Sequence, residues 1–256
     1  MAVTRTLTPE EWHAWFSVQA DWTRPTRLYL YRQAYLTQAR TVLEVGCGTG
    51  VVTGELARLS PAWVVGLDLD SRMLTFARRR EDSVTYVRGD AHALPFPSGS
   101  FDVAVCHYLL LWLADPAQGV REMARVLRPD GCVLACAEPD YGGRVDHPPE
   151  LASLGRLQAE ALRQQGADPN LGRRLGELFV AAGLRATVGV MAGRWNLPAS
   201  PDAGFEAEWA MREHDLSDLL SPEELRRLHS ADYQALVEGR RTLFIPTFYA
   251  LGRKTA

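Results

Sequence analysis

The chain is 256 residues long and 46% hydrophobic, with 28 Lys and Arg against 31 Asp and Glu for a formal net charge of -3. That is apolar material for one large core, and the slightly negative balance offers none of the phosphate attraction on which non-specific nucleic-acid binders depend. The start carries no signal-peptide core and no run reaches the roughly 18 apolar residues of a membrane span, so a cytoplasmic protein with neither a membrane nor a nucleic-acid partner is expected.

Thr8, Pro9 and Glu11 stand at N-cap, N1 and N3 of a capping box, with Leu7 and Trp12 placed to staple it, so a helix begins at Pro9. From residue 41 to about 138, short β-branched runs alternate with helix-like segments. Strands are predicted over 41–46, 63–68, 84–89, 101–107 and 131–138, with helices over 50–59, 71–80 and 116–127. This alternation specifies right-handed βαβ units and a parallel sheet. Residues 146–149 read as a loop, followed by helices over 150–165 and 172–183 and a strand near 184–192. The stretch 196–240 is helical and loop sequence, in which Ser221, Pro222 and Glu224 repeat the capping grammar and Gly239 supplies a stop. A last strand, "TLFIPTFYALGR", holds Pro246, which suits an edge or a bulge. Cys47, Cys106, Cys132 and Cys136 all lie in apolar runs and read as buried reduced thiols. Cys132 and Cys136 are four apart on one strand, about 13 Å, too far to bridge. No metal site is expected.

The stretch "VLEVGCGTGVV" places Gly46, Gly48 and Gly50 in the first strand-to-helix turn. Such a turn needs backbone freedom and lets a ligand approach closely, although on its own it closes any βα unit. The second strand ends in "GLDLD", which sets Asp68 beside the glycines, where an acid accepts hydrogen bonds from both hydroxyls of a ribose. Asp70 reads instead as the cap of the helix starting at Ser71. A dinucleotide fingerprint wants its third glycine one residue later, where Val51 stands, and Glu44 adds a negative charge two residues before the turn. A cationic ligand matches better than a pyrophosphate.

"VLEVGCGTG", followed in register by "VVGLDLDSRML", "VRGDAHALPFPSGSFDVAVCHYLLLWL" and "REMARVLRPDGCVLACAEP", resembles the class I S-adenosylmethionine-dependent methyltransferases, in their small-molecule branch, over residues 41–138. The resemblance implies a Rossmann-like, doubly wound α/β fold: a seven-stranded, mostly parallel sheet with an antiparallel last strand, plus N-terminal helices and a helical insertion before that strand. It implies that Glu44, Gly46, Cys47, Gly48 and Gly50 wrap the methionine moiety of S-adenosylmethionine and that Asp68 holds the ribose. Leu69 and Met73 would lie against the adenine, Asp90 and Ala91 would bond its edge, and Cys106 and His107 would lie near the sulfonium. The same resemblance divides the chain into a helical segment or lid over 1–40, a core over 41–195 and 241–256, and an insertion over 196–240 capping the acceptor pocket.

Methyl transfer is an in-line displacement in which alignment and exclusion of water supply most of the acceleration, and a general base is optional. His107, at the carboxyl end of the fourth strand, is the first candidate to orient the acceptor or take its proton; a histidine bonded into the sheet edge is the equal alternative. "EPDYGG" offers Asp140 and Tyr141 at the same edge, Tyr141 as a second catalytic candidate. Trp12 and Trp15 read first as a helix stripe, whereas Trp22 and Tyr29 fit that stripe less well and are candidates for the acceptor wall. Phe205 and Trp209, four apart, read first as a packing face, with Trp209 also a wall candidate. Arg173, Arg174 and Arg194 suit an anionic acceptor, or, for the first two, a solvated helix face. A small-molecule acceptor is expected. RNA or protein methylation, a non-catalytic cofactor binder and an NAD-dependent oxidoreductase stand as alternatives.

Overall fold

The computed structural model describes residues 7–190 and 203–255; Arg194 and the start of the 196–240 segment lie outside the described residues. Helix α1 (Pro9–Gln33) starts on the expected capping box, with Thr8 and Glu11 exchanging side-chain and backbone bonds, and continues through Pro25 for 25 residues. Strands β1 (Thr41–Val45), β2 (Trp63–Asp68), β3 (Thr85–Arg88) and β4 (Phe101–Cys106) alternate with α2 (Val51–Leu59) and α3 (Ser71–Arg80), and α4 (Pro116–Val126) precedes β5 (Leu127–Pro139). Local chemistry accounts for the starts of these helices. Asp70 accepts from the Arg72 amide to cap α3, and Asp115 accepts from the Gln118 amide with Pro116 at the first turn of α4.

The sheet runs β3-β2-β1-β4-β5-β9-β7, where β7 is Leu184–Val190 and β9 is Thr247–Lys254. The first five strands are parallel, and β9 lies antiparallel between β5 and β7. Chain order reverses between β1 and β4, so the crevice beyond their carboxyl ends is where a ligand of such a sheet binds. Both faces are covered, which is why β1, β2 and β4 are nearly continuous apolar runs. One core layer joins α1, α2 and α3 to the sheet through Leu30, Leu56 and Leu74; the other joins α4 and α6 (Leu175–Ala181) to the opposite face through Met123 and Phe179. A third cluster lies away from the sheet, where α5 (Ala152–Gln164), α7 (Ala203–Leu216) and α8 (Pro222–Val237) bury Leu154, Phe205, Trp209, Leu216 and Leu228. All four cysteines are buried and unbridged.

Two expectations change. The predicted last strand is two strands: Pro246 separates β8 (Thr242–Phe244) from β9, because a residue without an N–H cannot continue an internal ladder. β9 is consequently not an edge. The predicted loop at 146–149 is in part β6 (Val145–His147), which pairs antiparallel with β8 as a separate ribbon. That pairing joins segments roughly a hundred residues apart, so no local signal marks it.

Candidate functional site

The glycine turn begins as β1 ends. The amides of Gly46 and Cys47 both donate to the Leu67 carbonyl, at 2.8 and 3.0 Å, pinning the turn to β2. Gly48 and Gly50 have φ of +50° and +81°, in the left-handed region that side chains avoid. A Cβ at Gly48 would sit 3.0 Å from the Phe16 ring of α1, and one at Gly50 2.6 Å from the Tyr86 hydroxyl. Asp68 takes two backbone donors, Gly48 at 2.7 Å and Asp70 at 2.9 Å, so the acid at the end of β2 organises the turn as well as facing the crevice.

Glu44 is 2% exposed, and burial pushes its carboxyl up to about 8, against the opposing effect of a hydrogen bond from Thr53. No basic side chain is hydrogen-bonded to it among the described residues, so a cationic ligand group is the partner its ionised form lacks.

Helix α1 crosses the turn and is tied down at three points. His13 Nδ1 lies 3.0 Å from Thr49 Oγ1, Thr23 Oγ1 lies 2.7 Å from His107 Nε2, and Arg27 forms a two-pronged pair with Glu55 of α2 at 2.9 Å on each arm. Arg27 also donates to Thr23 Oγ1 at 2.5 Å, so Glu55, Arg27, Thr23 and His107 form one connected chain. Desolvation, aided by the Arg27 charge, depresses His107 to about 3. Near neutrality it is an uncharged imidazole, suited to orienting a partner by hydrogen bonding and weak as a proton acceptor.

Between the turn, α1, the β6–β8 ribbon and α7 lies a cavity of about 950 Å³. It brings together Glu44, Gly46, Cys47, Gly48 and Asp68 with His107, Tyr141 and Trp22. Trp12 and Trp15, read first as packing stripe, line it too, Trp15 meeting Trp22 edge-on at 5.4 Å. The phenol of Tyr141 has its pKa raised by burial, so it stays protonated.

Other expected residues lie elsewhere. Gly50 sits behind the turn as the N-cap of α2, outside the cavity lining. Cys106 is 0% exposed within the core, a correction to its placement beside a ligand: the alternation of β4 turns its thiol inward. Leu69, Met73, Asp90 and Ala91 do not line the cavity. Gly89 donates to the Asp68 carbonyl at 3.0 Å, which sets the 89–91 loop beside the end of β2, a shelf with Leu69 exposed and Ala91 buried beneath it in the core. Asp90 there bonds the amide and ring of His92, both at 2.8 Å. Tyr29 faces away and packs on Tyr249 at 6.0 Å, and Trp209 is 1% exposed with its indole N–H bonded to Asp232 at 2.8 Å. Both are corrected from acceptor wall to scaffold. Asp140 is held by Arg173 at 2.9 and 2.7 Å, and Arg174 pairs with Glu177 and Asp168, so neither arginine reaches the cavity.

Sequence reasoning missed Gln158, Glu208, Asp215, Arg241 and Ile245, all of which line the cavity. Their only signal was position in polar helices and around Pro246. Glu138 was passed over as well: fully buried and pushed up to about 7, it accepts from the amides of Leu109, Leu110 and Leu111 and shapes the segment after β4.

Residues 43–135 match the family model described as a methyltransferase domain. An uncharacterised 37.1 kDa protein in a transposon of Streptomyces fradiae is 37% identical over 151 residues, which is 56% of this chain and 43% of that protein. Demethylmenaquinone methyltransferase of Mycolicibacterium vanbaalenii is 41% identical over 115 residues, 45% of this chain and 47% of that one. The matches thus span about half the length of these relatives. Among solved structures, the (4+2)-cyclase SpnF superposes with a TM-score of 0.61 at 23% identity, over 91% of this chain and 81% of that one, a likeness of fold. Among the described residues no helix is long and apolar enough to cross a membrane.

Proposed function

We propose that this chain, whose residues 43–135 match a methyltransferase domain, is a class I methyltransferase that methylates a small molecule held in the cavity under α1 and α7. One observation carries the reading: a single cavity of about 950 Å³ has a glycine turn with Glu44 and Asp68 in one wall and aromatic and polar side chains from α1 and α7 in the others. S-adenosylmethionine, when bound, supplies an electrophilic methyl group on a cationic sulfur. The donor set fits that molecule, since a buried carboxylate hydrogen-bonded to no basic side chain among the described residues suits an ammonium and Asp68 suits ribose hydroxyls.

In this reading Glu44 and the backbone of the turn hold the amino-acid end, Asp68 the ribose, and the shelf of Leu69, Met73, Asp90 and Ala91 the base. The aromatic walls exclude water from the reacting centre, where alignment is worth most. His107, fixed by Thr23, and Tyr141 position the acceptor. Of the described residues, 7–40 and 203–240 serve as lid and cap over a core formed by the rest.

Calorimetric titration of the purified protein with S-adenosylhomocysteine and, separately, NADH tests this. Micromolar binding of the first alone supports it. A folded sample, free of carried-over ligand, that ignores S-adenosylhomocysteine refutes it.

A further inference from the structure

Among the described residues, the α7 side of the cavity carries one carboxylate more than the guanidiniums there balance. Three guanidiniums lie there, and each is already engaged. Arg144 pairs with Asp146 at 2.8 Å, while Arg212 and Arg241 share Asp232 and Glu208 between them. Three carboxylates therefore meet three cations, and Asp215, which lines the same cavity, is left over. It accepts a long hydrogen bond from Gln165 Nε2 at 3.5 Å, and of the cationic side chains only the ionisable His214 acts on it, at a distance, among the described residues. The neighbouring His214 ring packs edge-on against Trp12 at 6.2 Å.

Position deepens the imbalance. Asp215 is in the last turn of α7, where unpaired carbonyls make the potential negative and a cation, not an anion, is favoured. The aromatic side chains of Trp15 and Trp22 line the same space, and indole rings are the aromatic groups that attract cations best. An anionic acceptor finds no uncommitted guanidinium among the described residues of the lining: Arg241 is the arginine there, and two carboxylates hold it.

We propose that Asp215 is the acceptor-recognition group and that the acceptor is an amphipathic molecule bearing a protonated amine on an apolar or aromatic body. The inference rests on the methyl-transfer reading above. The ammonium replaces the charge partner that Asp215 lacks, and the indole and phenol walls cover the body.

The test is calorimetry on the full chain saturated with S-adenosylhomocysteine, using probes that share a body and differ in charge: tryptamine, tryptophol and indole-3-acetate, then phenethylamine, phenethyl alcohol and phenylacetate. The amine of each series should bind about tenfold tighter than the alcohol, the value of a charge-assisted hydrogen bond in a part-buried site, and the acid weakest. In Asp215→Asn the amine should fall to the level of the alcohol while S-adenosylhomocysteine affinity is unchanged. Absence of an ammonium preference in both series, absence of binding included, overturns the proposal, as does a preference that survives Asp215→Asn. The wild-type comparison needs no variant to fold. Failure to bind S-adenosylhomocysteine in the preceding titration strikes the methyl-transfer reading instead and is seen separately.

Discussion

Cofactor binding should expel a proton from Glu44. The carboxyl is buried, receives a hydrogen bond from Thr53, and is pushed up to about 8 in the free protein. At pH 7 such a group is about nine-tenths protonated. An ammonium brought within hydrogen-bond range favours the ionised form, and a downward shift of about two units leaves roughly a tenth protonated, so about 0.8 proton is released per ligand bound. Titrating S-adenosylhomocysteine at pH 7 in phosphate, HEPES and Tris, and plotting observed enthalpy against buffer ionisation enthalpy, counts those protons directly. Glu138, pushed up to about 7, titrates in the same range, so the readout is the difference between wild type and Glu44→Gln. At pH 9 the difference should vanish, since Glu44 is then ionised before binding. Equal slopes for the two proteins at pH 7 would show that Glu44 does not meet the ammonium.

Asp68→Ala removes the acceptor for two backbone donors and, in the proposed site, the ribose contacts; S-adenosylhomocysteine should bind about 1 to 3 kcal/mol more weakly by calorimetry, and unchanged affinity refutes the ribose role. Gly48→Ala forces a side chain to φ +50° beside Phe16 and should cost about 1 to 2 kcal/mol in urea unfolding. Most of that loss should persist in a Phe16→Ala background, because the backbone strain remains; full recovery would assign the cost to the ring contact alone. Stability should fall as pH rises from 7 to 8.5. Glu44 and Glu138 have folded values of about 8 and about 7, above the ordinary carboxylate value, so the native state holds more protons than the unfolded one and loses that advantage through this window. Glu44 alone contributes about 1 kcal/mol over that range. Urea curves at the two pH values should show Glu44→Gln losing correspondingly less, and an equal loss in both proteins removes the burial argument.

What the sequence determined is what short-range chemistry determines. The capping boxes at Thr8 and Ser221, the Asp70 cap of α3 and the stop at Gly239 follow from side chains reaching backbone groups within three or four residues. The β-branched runs of β1, β2 and β4 follow from burial on both faces, and the glycine turn from φ values that other residues resist. These features carried the sheet and the glycine-turn wall of the cavity, including Glu44 and Asp68. The opposite wall, formed by α1, α7 and the β8 segment, was decided by tertiary structure. Trp209 and Tyr29 carry rings that suit a binding wall, yet one enters the core of α5, α7 and α8 and the other turns to Tyr249, because helix packing selects which face meets the cavity. Asp215 looked like any acid on a polar helix until the ion pairs of Arg144, Arg212 and Arg241 left it without a guanidinium of its own among the described residues. The ribbon of β6 and β8 has the same origin, since pairing between distant segments depends on where the whole sheet brings them and has no signature in either one.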